Sequence, residues 1–365
     1  MSFKCGIIGL PNVGKTTLFN ALTCLEAEAA SYPFCTIQPN VGRVSVPDPR
    51  LEKVAEIAGA EKITPNHIEF VDVAGLVKGA SRGEGLGNQF LANIREVDAL
   101  IHVLRHFSDP NVAHAAGTEN WQEDLAVIDY ELIMADLETV KNRRERTSKM
   151  LKTGDPRVKE EVSFLEMLEE HLNQEGRARD FTRTEKGSHV LQELFLLTAK
   201  PVMYIFNVDE DLPEPERQSL KRELRDTLGD ESAEVLLISA GMEGELKDFS
   251  PEEKQEFLEE LGWSRSGLDE LITSSFRLLH LITFFTAKGK ETRAWTLPQG
   301  TRAVKAAGKI HTDMERGFIR AEVIPFQTLE REGSFAKARE KGLMRLEGKD
   351  YMVQDGDVIQ FRFNV

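Results

Sequence analysis

The sequence predicts an α/β protein with a mostly parallel sheet, an inserted helical hairpin, and a smaller α+β domain at the C-terminal end. Five apolar strand patterns support the sheet, and helical patterns separate most of them. Strands that alternate with helices are typical of parallel sheets. A long helical repeat interrupts this alternation in the middle of the chain, and shorter strands replace it near the end. The five strand patterns are Phe3–Ile8, His67–Asp72, Val97–Leu104, Lys200–Asn207 and Ala233–Ile238.

The composition is that of a globular protein of a reducing compartment. The chain has 365 residues, 41% hydrophobic and 29% charged, which is enough for two or three domains with buried cores. No apolar run approaches the length of a membrane span, and the first strand begins too early for a signal peptide. The three cysteines lack the spacing of a disulfide framework or a metal site. We therefore expect a cytoplasmic protein that does not bind membranes.

Charge is distributed unevenly along the chain. The net charge of −15 argues against nucleic-acid binding over the whole surface. Residues 278–365, however, contain 15 Lys/Arg and 11 Asp/Glu, a net charge of +4. Any contact with a polyanion is therefore expected at particular patches. The changes in pattern set the expected domains: residues 1–120 and 196–277 for the sheet, 121–195 for the hairpin, and 278–365 for the C-terminal domain.

The segment Gly9–Thr16 is the most informative stretch of the sequence. Gly-Leu-Pro-Asn-Val-Gly-Lys-Thr fits G-x-x-x-x-G-K-[ST], the phosphate-binding loop of nucleotide hydrolases, and it lies between a strand and a helix as that motif requires. The glycines let backbone N–H groups converge on an anion, and the helix N-terminus adds positive charge. Lys15 would reach the β- and γ-phosphates, and the Thr16 hydroxyl would bind Mg²⁺. The alternative is a glycine-rich turn with a solvated lysine.

Two further motifs are expected beside the triphosphate. Thr36 lies in a loop after the first helix, where switch proteins place a threonine that contacts Mg²⁺ and the γ-phosphate. Asp72 ends an apolar strand and begins Asp-Val-Ala-Gly, so its carboxylate would hold Mg²⁺ and the Gly75 N–H would contact the γ-phosphate. The next residue, Leu76, stands where many switch GTPases carry a water-orienting Gln. Another group must therefore orient the water, or intrinsic turnover is slow.

Histidines in the loop after the Val97–Leu104 strand could polarise the attacking water. An imidazole titrates near the working pH range and can act as a general base. The loop contains His106 and His114, and His114 is the candidate because a mobile loop could bring it over the γ-phosphate. The alternative for either histidine is a solvated surface position.

The helical repeat between Trp121 and about Leu172 predicts an antiparallel hairpin with a coiled-coil seam. Apolar residues recur at steps of three and four, and Thr153–Pro156 between them is a good turn. Residues 141–159 contain eight Lys/Arg and two acids. Two interpretations stay open, a solvated helix face or an arm whose tip contacts RNA phosphates.

The strand that ends at Asn207 introduces the expected base-recognition motif. Proteins that select guanine carry Asn-Lys-x-Asp at this point, whereas this chain has Val208 at the lysine position and Glu210 at the acid position. The longer Glu210 side chain should weaken guanine discrimination, because such specificity needs fixed geometry, and adenine could then compete. Ser239 and Ala240 follow the last core strand and fit the loop that contacts the base.

The C-terminal region predicts a compact α+β binding module. Short alternating strands surround a helical pattern at Ala303–Ala307, and no nucleophile triad or Cys/His cluster is visible. Asp355-Gly356 before the final strand predicts an ending of the hairpin type.

These motifs together closely resemble those of the YchF/Obg-like ATPase family, P-loop NTPases related to translation factors. The resemblance extends over the whole chain, and because its Asn-x-x-Glu base motif is narrow, the match is specific. The residues that carry it are 9–16, Tyr-Pro-Phe-Cys-Thr at 32–36, Asp-Val-Ala-Gly-Leu-Val-Lys-Gly-Ala at 72–80, Glu-Gly-Leu-Gly-Asn-Gln-Phe-Leu at 84–91, Asn207 to Glu210, and Phe-Ile-Arg-Ala-Glu-Val-Ile at 318–324.

The resemblance implies a Ras-like P-loop NTPase core, an inserted coiled-coil arm and a C-terminal TGS domain with a β-grasp fold. It implies Mg²⁺-dependent hydrolysis that prefers ATP to GTP, and association with the ribosome. Asp209, a second acid inside the base motif, is expected to face solvent. Asn12 is the position that helps to hold K⁺ in potassium-stimulated relatives. By position, the phosphate-binding residues are Asn12, Val13, Gly14, Lys15, Thr16 and Thr17, the Mg²⁺ ligands include Thr16 and Thr36, and Val208 lies at the base.

Three functions remain open from the sequence. The first is a monomeric ATP-hydrolysing switch whose nucleotide state controls ribosome docking through the basic arm tip and the C-terminal domain. The second is a nucleotide-gated binding protein in which hydrolysis is incidental. The third is a GTP-specific GTPase.

Overall fold

The computed structural model describes residues 3–29, 40–73, 86–108, 120–181, 188–210, 212–229, 233–246, 249–263 and 265–364. The chain divides into two compact units. The first unit comprises Met1–Arg43 and Glu69–Leu271, and the second comprises Val44–Ile68 and Ile272–Val365. The three-domain division from the sequence stays a prediction.

The described elements alternate as the sequence predicts. The strands are β1 (Lys4–Ile8), β2 (Val41–Ser45), β3 (Lys62–Thr64), β4 (His67–Asp72), β5 (Ala99–His106), β6 (Val202–Val208), β7 (Glu234–Ile238), β8 (Leu281–Lys288), β9 (Glu291–Pro298), β10 (Phe318–Pro325), β11 (Arg345–Glu347) and β12 (Asp357–Phe363). The helices are α1 (Lys15–Ala29), α2 (Pro49–Ala58), α3 (Leu86–Arg95), α4 (Trp121–Ser148), α5 (Pro156–Asn173), α6 (Ser188–Leu194), α7 (Glu214–Leu228), α8 (Ala240–Leu246), α9 (Pro251–Glu260), α10 (Gly267–Leu278), α11 (Ala303–Ile310), α12 (Thr312–Arg316), α13 (Phe326–Glu332) and α14 (Phe335–Glu340), with a 3-10 turn at Lys149–Thr153.

The core sheet has the strand order β2-β4-β1-β5-β6-β7. The pairs of β1 with β4 and β5, and of β6 with β5 and β7, are parallel. Their inner residues are almost completely buried, which explains the continuous apolar runs in the sequence. The predicted α/β core is therefore confirmed. Because parallel strands end at the same edge, the loops after β1, β4, β6 and β7 meet there.

Helices α4 and α5 form the predicted hairpin. The second half of α4 packs on α5 through an apolar cluster that includes Ile133, Leu137, Leu165 and Leu168. Gly154 takes a left-handed conformation at the turn with φ 74°, and the Asp155 carboxylate caps α5 by accepting a hydrogen bond from the Arg157 N–H. The first half of α4 instead packs beside Phe206 of the core sheet, with Trp121 and Leu125 contributing.

The second unit is built on a sheet of order β11-β10-β12-β8-β9-β3. Neighbouring residues of its strands belong to different apolar clusters: Phe284 to one that includes α11, and Phe285 to one that includes α2 and α13. Since successive strand residues point to opposite faces, the sheet is covered on both sides. The hairpin prediction at Asp355-Gly356 was wrong, because β12 lies between β10 and β8 and does not pair with β11. Long-range pairing placed this strand in the centre of the sheet.

Residues 44–68 are an integral part of the second unit. The edge strand β3 pairs with β9 in parallel register, with Lys62 opposite Glu291. Helix α2 buries Leu51 and Val54 in the cluster that contains Phe285. No local pattern in the sequence predicts that residues between two expected nucleotide-site motifs complete the C-terminal unit.

An arginine fixes the start of α2 within this unit. Arg50 forms salt bridges of 2.8 Å with Asp48 and 2.7 Å with Asp355. Its guanidinium lies 5.5 Å from the centre of the Phe285 ring. Asp355 Oδ1 also accepts a hydrogen bond from the Thr283 N–H at 2.8 Å. These contacts join the segment to the sheet through side chains as well as backbone.

Candidate nucleotide-binding site

The predicted phosphate loop lies between the end of β1 at Ile8 and the start of α1 at Lys15. Its backbone has a positive φ at three residues, Gly9 with φ 153°, Asn12 with φ 65° and Gly14 with φ 98°. Any side chain at position 14 would also overlap the Asn207 amide. Glycine is therefore required at position 14 by conformation and by space. The arrangement is the one that phosphate-binding loops use at the N-terminus of a helix.

Lys15 is held inside this loop as a buried cation. Its side chain is 7% exposed, and its Nζ donates a hydrogen bond of 2.7 Å to the Leu10 carbonyl. Burial lowers the pKa of Lys15 to about 8, although the nearby Asp72 carboxylate opposes this effect. A desolvated ammonium with one carbonyl partner is poised to bind an anion, since a phosphate would restore the lost stabilisation.

Thr16 and Asp72 come together as the sequence predicts for a metal site. The pairing of β1 with β4 places Ile7 opposite Asp72, and the Thr16 hydroxyl donates to Asp72 Oδ2 at 3.1 Å. Within the described part of the chain, the buried Asp72 Oδ1 has no hydrogen-bond partner. Hydroxyl and carboxylate oxygens are ligands that Mg²⁺ prefers. The residues present fit an Mg²⁺ ion, which Thr16 and Asp72 would hold and which would supply positive charge to offset that of the phosphates.

Asn207 joins the phosphate loop to the loop expected to contact the base. It is 8% exposed. Its Nδ2 donates to the Val13 carbonyl at 3.1 Å, and its Oδ1 accepts from the Ala240 N–H at 2.9 Å. Ser239 lies in the same loop, and its hydroxyl accepts from the Met242 N–H at 3.3 Å.

Glu210 lies beside this loop. Its side chain is exposed, and a side chain on Gly241 would overlap its carboxylate. A glycine at 241 therefore leaves space for the longer acid. Sequence reasoning assigned Asn207 and Glu210 to the base, but it did not find the tie from Asn207 to the phosphate loop, which depends on contacts distant along the chain.

Comparisons with known proteins match two family models and full-length relatives. Residues 4–148 match a family model described as "50S ribosome-binding GTPase". Residues 281–364 match the model YchF-GTPase_C, described as a protein of unknown function. The ribosome-binding ATPase YchF of Bacillus subtilis (strain 168) is 50% identical over 366 residues, and the match covers 100% of both chains. The protein of the same name from Escherichia coli O157:H7 is 49% identical over 367 residues, with 100% of both chains covered.

The chain belongs to the YchF family.

A solved structure supports the same assignment. The YchF GTPase of Schizosaccharomyces pombe superposes with a TM-score of 0.86 at 32% identity, and the match covers 99% of this chain and 98% of that one. A GTP-binding protein from Pyrococcus horikoshii OT3 has a TM-score of 0.61 at 19% identity, covers 99% of this chain and 100% of its own, and supports the fold alone. The predicted Ras-like core with a C-terminal domain is thus confirmed. Among the helices of the described ranges, none combines the length and the apolar composition of a membrane-spanning segment.

Two residues of the base motif have contrasting positions in this YchF-family chain. Val208 is 3% exposed and contributes its side chain to the apolar cluster of Tyr204 and Leu224. Asp209 is exposed, as expected, and its carboxylate accepts a hydrogen bond of 3.4 Å from the Ser108 N–H. The assignment of Val208 to the base stays a prediction. Thr17, predicted to contact phosphate, is exposed at the start of α1.

Four sequence-predicted positions lie outside the described residues: Thr36, Gly75, Leu76 and His114. The other loop candidate, His106, packs edge-on against Phe206 with ring centres 6.3 Å apart. A histidine that sequence reasoning did not single out, His102, lies in β5 and is 2% exposed. Burial, together with Arg179, Lys15 and Arg177, lowers the pKa of His102 to about 3, so its ring is neutral beneath the site. An isolated histidine in an apolar strand was its only signal.

Proposed function

We propose that this YchF-family protein is an Mg²⁺-dependent P-loop NTPase that hydrolyses ATP, and also GTP to a lesser degree, and that its nucleotide state controls ribosome binding. The observation that carries the proposal is the convergence of the buried Lys15 ammonium and the Thr16–Asp72 pair at one sheet edge. Phosphoryl transfer consists largely of positioning and charge stabilisation, which these groups supply. The relatives named ribosome-binding ATPase support ATP as substrate.

The proposed hydrolysis depends on groups beside the γ-phosphate. Lys15 binds the β- and γ-phosphates, the Gly75 N–H contacts the γ-phosphate, and Thr36 completes the Mg²⁺ ligands. His114 polarises the attacking water, because Leu76 cannot. We expect His114→Ala to lower kcat strongly while the Kd for ATP stays within twofold. An unchanged kcat would assign the water to another group.

The nucleotide preference tests the base site. Titration of the nucleotide-free protein with ATP and GTP, each with Mg²⁺, should give tighter ATP binding. Glu210→Asp should shift the preference toward guanine, because the shorter acid restores the position used by guanine-selective sites. Val208 is left unchanged in this test, although guanine-selective sites carry lysine there, because Val208 is 3% exposed and a buried unpaired lysine would destabilise the fold. GTP binding tighter than ATP binding in the wild type would favour the GTP-specific alternative.

A hydrolytic switch and a nucleotide-gated binding protein differ in whether ATP hydrolysis changes the affinity for the ribosome. Co-sedimentation with ribosomes is compared in ATP, ADP and a non-hydrolysable ATP analogue. The switch predicts different pelleting with ATP analogue and ADP, and slow basal turnover that a partner stimulates. Equal pelleting in all three states would contradict nucleotide control.

Asn12 is the proposed K⁺ ligand. Its backbone is left-handed and its side chain is exposed at the phosphate loop. Replacing KCl with NaCl at equal ionic strength should slow hydrolysis in the wild type and have little effect in Asn12→Ala. Equal rates of the wild type in both salts would exclude stimulation by K⁺.

The proposed ribosome contact of the arm is narrower than the basic run in the sequence. Arg143 pairs with Glu161 at 2.7 Å and Glu193 at 3.1 Å, and Arg144 pairs with Glu169 at 3.2 Å. In the described parts of the chain, five cations around the tip have no acidic partner. They are Arg146, Lys149, Lys152, Arg157 and Lys159.

Two apolar side chains accompany these cations. Met150 is 54% exposed and Leu151 is 42% exposed at the same turn. Exposed apolar groups next to unpaired charges are a pattern of binding surfaces, whereas a solvated helix face needs only charge. We therefore propose this tip as the surface that contacts rRNA phosphates.

The arm is tested with matched charge removal. A triple variant that carries Arg146→Gln, Lys149→Gln and Lys152→Gln should bind the ribosome more weakly and with less salt dependence. Each lost phosphate contact reduces the steepness of the plot of log binding constant against log salt concentration by roughly 0.7 to 0.9. Basal hydrolysis should not change. The control is Arg143→Gln with Arg144→Gln, which removes charges already paired within the arm. A control that weakens ribosome binding as much as the tip variant would contradict the assignment.

A further inference from the structure

A buried carboxylate stands directly behind the loop expected to contact the base. Glu243 is 3% exposed and lies in α8, the short helix that begins at Ala240. Its backbone N–H donates to the Ser239 carbonyl at 3.1 Å, so it belongs to the first turn after the loop. Its Oε1 accepts a hydrogen bond of 2.6 Å from the Gly267 N–H. The side chain therefore ties α8 to the N-terminus of α10.

The start of α10 is shaped to receive this carboxylate. A Cβ on Gly267 would lie 2.9 Å from Glu243 Oε1 and 3.2 Å from Ile238, so the close approach requires glycine. Ser266 is fully buried and accepts from the Asp269 N–H at 3.2 Å, which satisfies a second N–H of the helix end. A carboxylate at the N-terminus of a 12-residue helix is further stabilised by the helix dipole.

Burying the Glu243 carboxylate at this position carries a free-energy cost of desolvation. Burial raises the pKa of Glu243, although the N–H groups of Gly267 and Leu268 oppose that shift. Within the described residues, its Oε2 has no hydrogen-bond partner. An apolar side chain would fill the same space without the desolvation cost. Unlike an apolar side chain, the carboxylate forms a directional hydrogen bond to the Gly267 N–H, which fixes the distance and orientation of α8 relative to the start of α10.

The loop 239–241 is thus held from two sides. Asn207 holds the Ala240 N–H from the side of the phosphate loop. Glu243 holds the following turn from the side of α10. Reading a base edge needs donors and acceptors fixed within a fraction of an ångström, and a short helix without this tie could shift.

We propose that Glu243 is a positioning residue for base recognition: by anchoring α8 to Gly267, it holds Ser239, Ala240 and Gly241 where they meet the nucleobase. The inference rests on the proposed nucleotide-binding function. Glu243 acts through the loop, whereas the triphosphate is held by Lys15, Thr16 and Asp72. The two parts of the ligand are therefore separable in an experiment.

The experiment compares a ligand that has a base with one that lacks it. Glu243→Ala is titrated with ATP and with inorganic tripolyphosphate, both in Mg²⁺. ATP affinity should fall roughly tenfold, the effect of losing one buried charged hydrogen bond. Tripolyphosphate affinity should stay within about twofold. Glu243→Gln keeps an acceptor for the Gly267 N–H and should recover most of the ATP affinity.

Two further variants separate positioning from stability. Gly267→Ala disturbs the same contact from the other helix and should also weaken ATP selectively, which covers the case that Glu243→Ala does not fold. Asp136→Ala is the matched control, because Asp136 is fully buried and accepts from Leu197 and Thr198 N–H groups away from the base loop. It should lower stability without changing the ratio of the two affinities.

Each outcome bears on a defined claim. A parallel loss of ATP and tripolyphosphate affinity in Glu243→Ala, or an unchanged ratio in folded Gly267→Ala, overturns the positioning role while the proposed function stands. A wild type that takes up neither ligand overturns the proposed function, and the inference with it. A ratio that shifts in Glu243→Ala and Gly267→Ala but not in Asp136→Ala supports the assignment.

Discussion

The amide of Asn207 offers a quantitative test of how the site is assembled. Asn207→Ala removes the hydrogen bonds to the Val13 carbonyl at 3.1 Å and from the Ala240 N–H at 2.9 Å. Each bond contributes about 0.5 to 1.5 kcal/mol net, so their loss amounts to about 1 to 3 kcal/mol. If this free energy stabilises the binding-competent loops, ATP affinity should fall roughly 5- to 150-fold.

The assay is a titration of nucleotide-free protein with a fluorescent ATP analogue and Mg²⁺. Asn66→Ala serves as the matched control, because Asn66 is 6% exposed and its Nδ2 donates to the Thr283 hydroxyl at 3.0 Å in the second unit. The control should lose comparable stability and keep its ATP affinity. A change of less than twofold in Asn207→Ala, or an equal loss in the control, would refute the proposed tie between the two loops.

Two other predictions concern the second unit and pH. Val54 is fully buried in that unit, and Val54→Ala should lower the free energy of unfolding by about 2 kcal/mol and accelerate amide hydrogen exchange in 281–298. Val235→Ala, in the first unit, should instead accelerate exchange in 202–208. The reverse pattern would contradict the placement of 44–68. The pKa of Lys15 falls from 10.5 to about 8 on folding, so between these values the unfolded chain holds more protons and the unfolding free energy of the nucleotide-free protein rises with pH. ATP affinity should fall as pH rises above about 8, because the neutral amine no longer attracts phosphate. Lys15→Met should lack the pH dependence of the unfolding free energy and should not bind ATP at any of these pH values. Equilibrium denaturation and ATP titration across pH 7 to 10 would measure both.

The phosphate-loop motif and the meeting of Thr16 with Asp72 in the candidate nucleotide site could be predicted, because their signals are local. The glycine and lysine spacing lies within residues 9–16, and Asp72 directly follows the apolar residues of β4, so each signal occupies a short stretch of sequence. The parallel pairing of β1 with β4 then brings Thr16 and Asp72 together. The helical hairpin of α4 and α5 was predictable for the same reason, since the helical periodicity of the sequence continues for many turns in both helices.

Features that depend on distant partners were not predictable. The parallel pairing of Lys62 with Glu291 joins residues more than two hundred positions apart, and no local sequence pattern predicts it. The ion pair of Arg143 with Glu161 depends on the register of α4 against α5, so the sequence showed a basic run but not which charges were free. The role proposed for Glu243 likewise appears only when the start of α10 is in view.

The central claim is that the loop around Lys15 binds a nucleoside triphosphate with Mg²⁺. Isothermal titration of folded, nucleotide-stripped protein measures this directly. We predict one binding site per chain for ATP, weaker binding of GTP, and loss of binding in Lys15→Ala or after removal of Mg²⁺. Absence of heat and of retained nucleotide with both ATP and GTP would contradict the account.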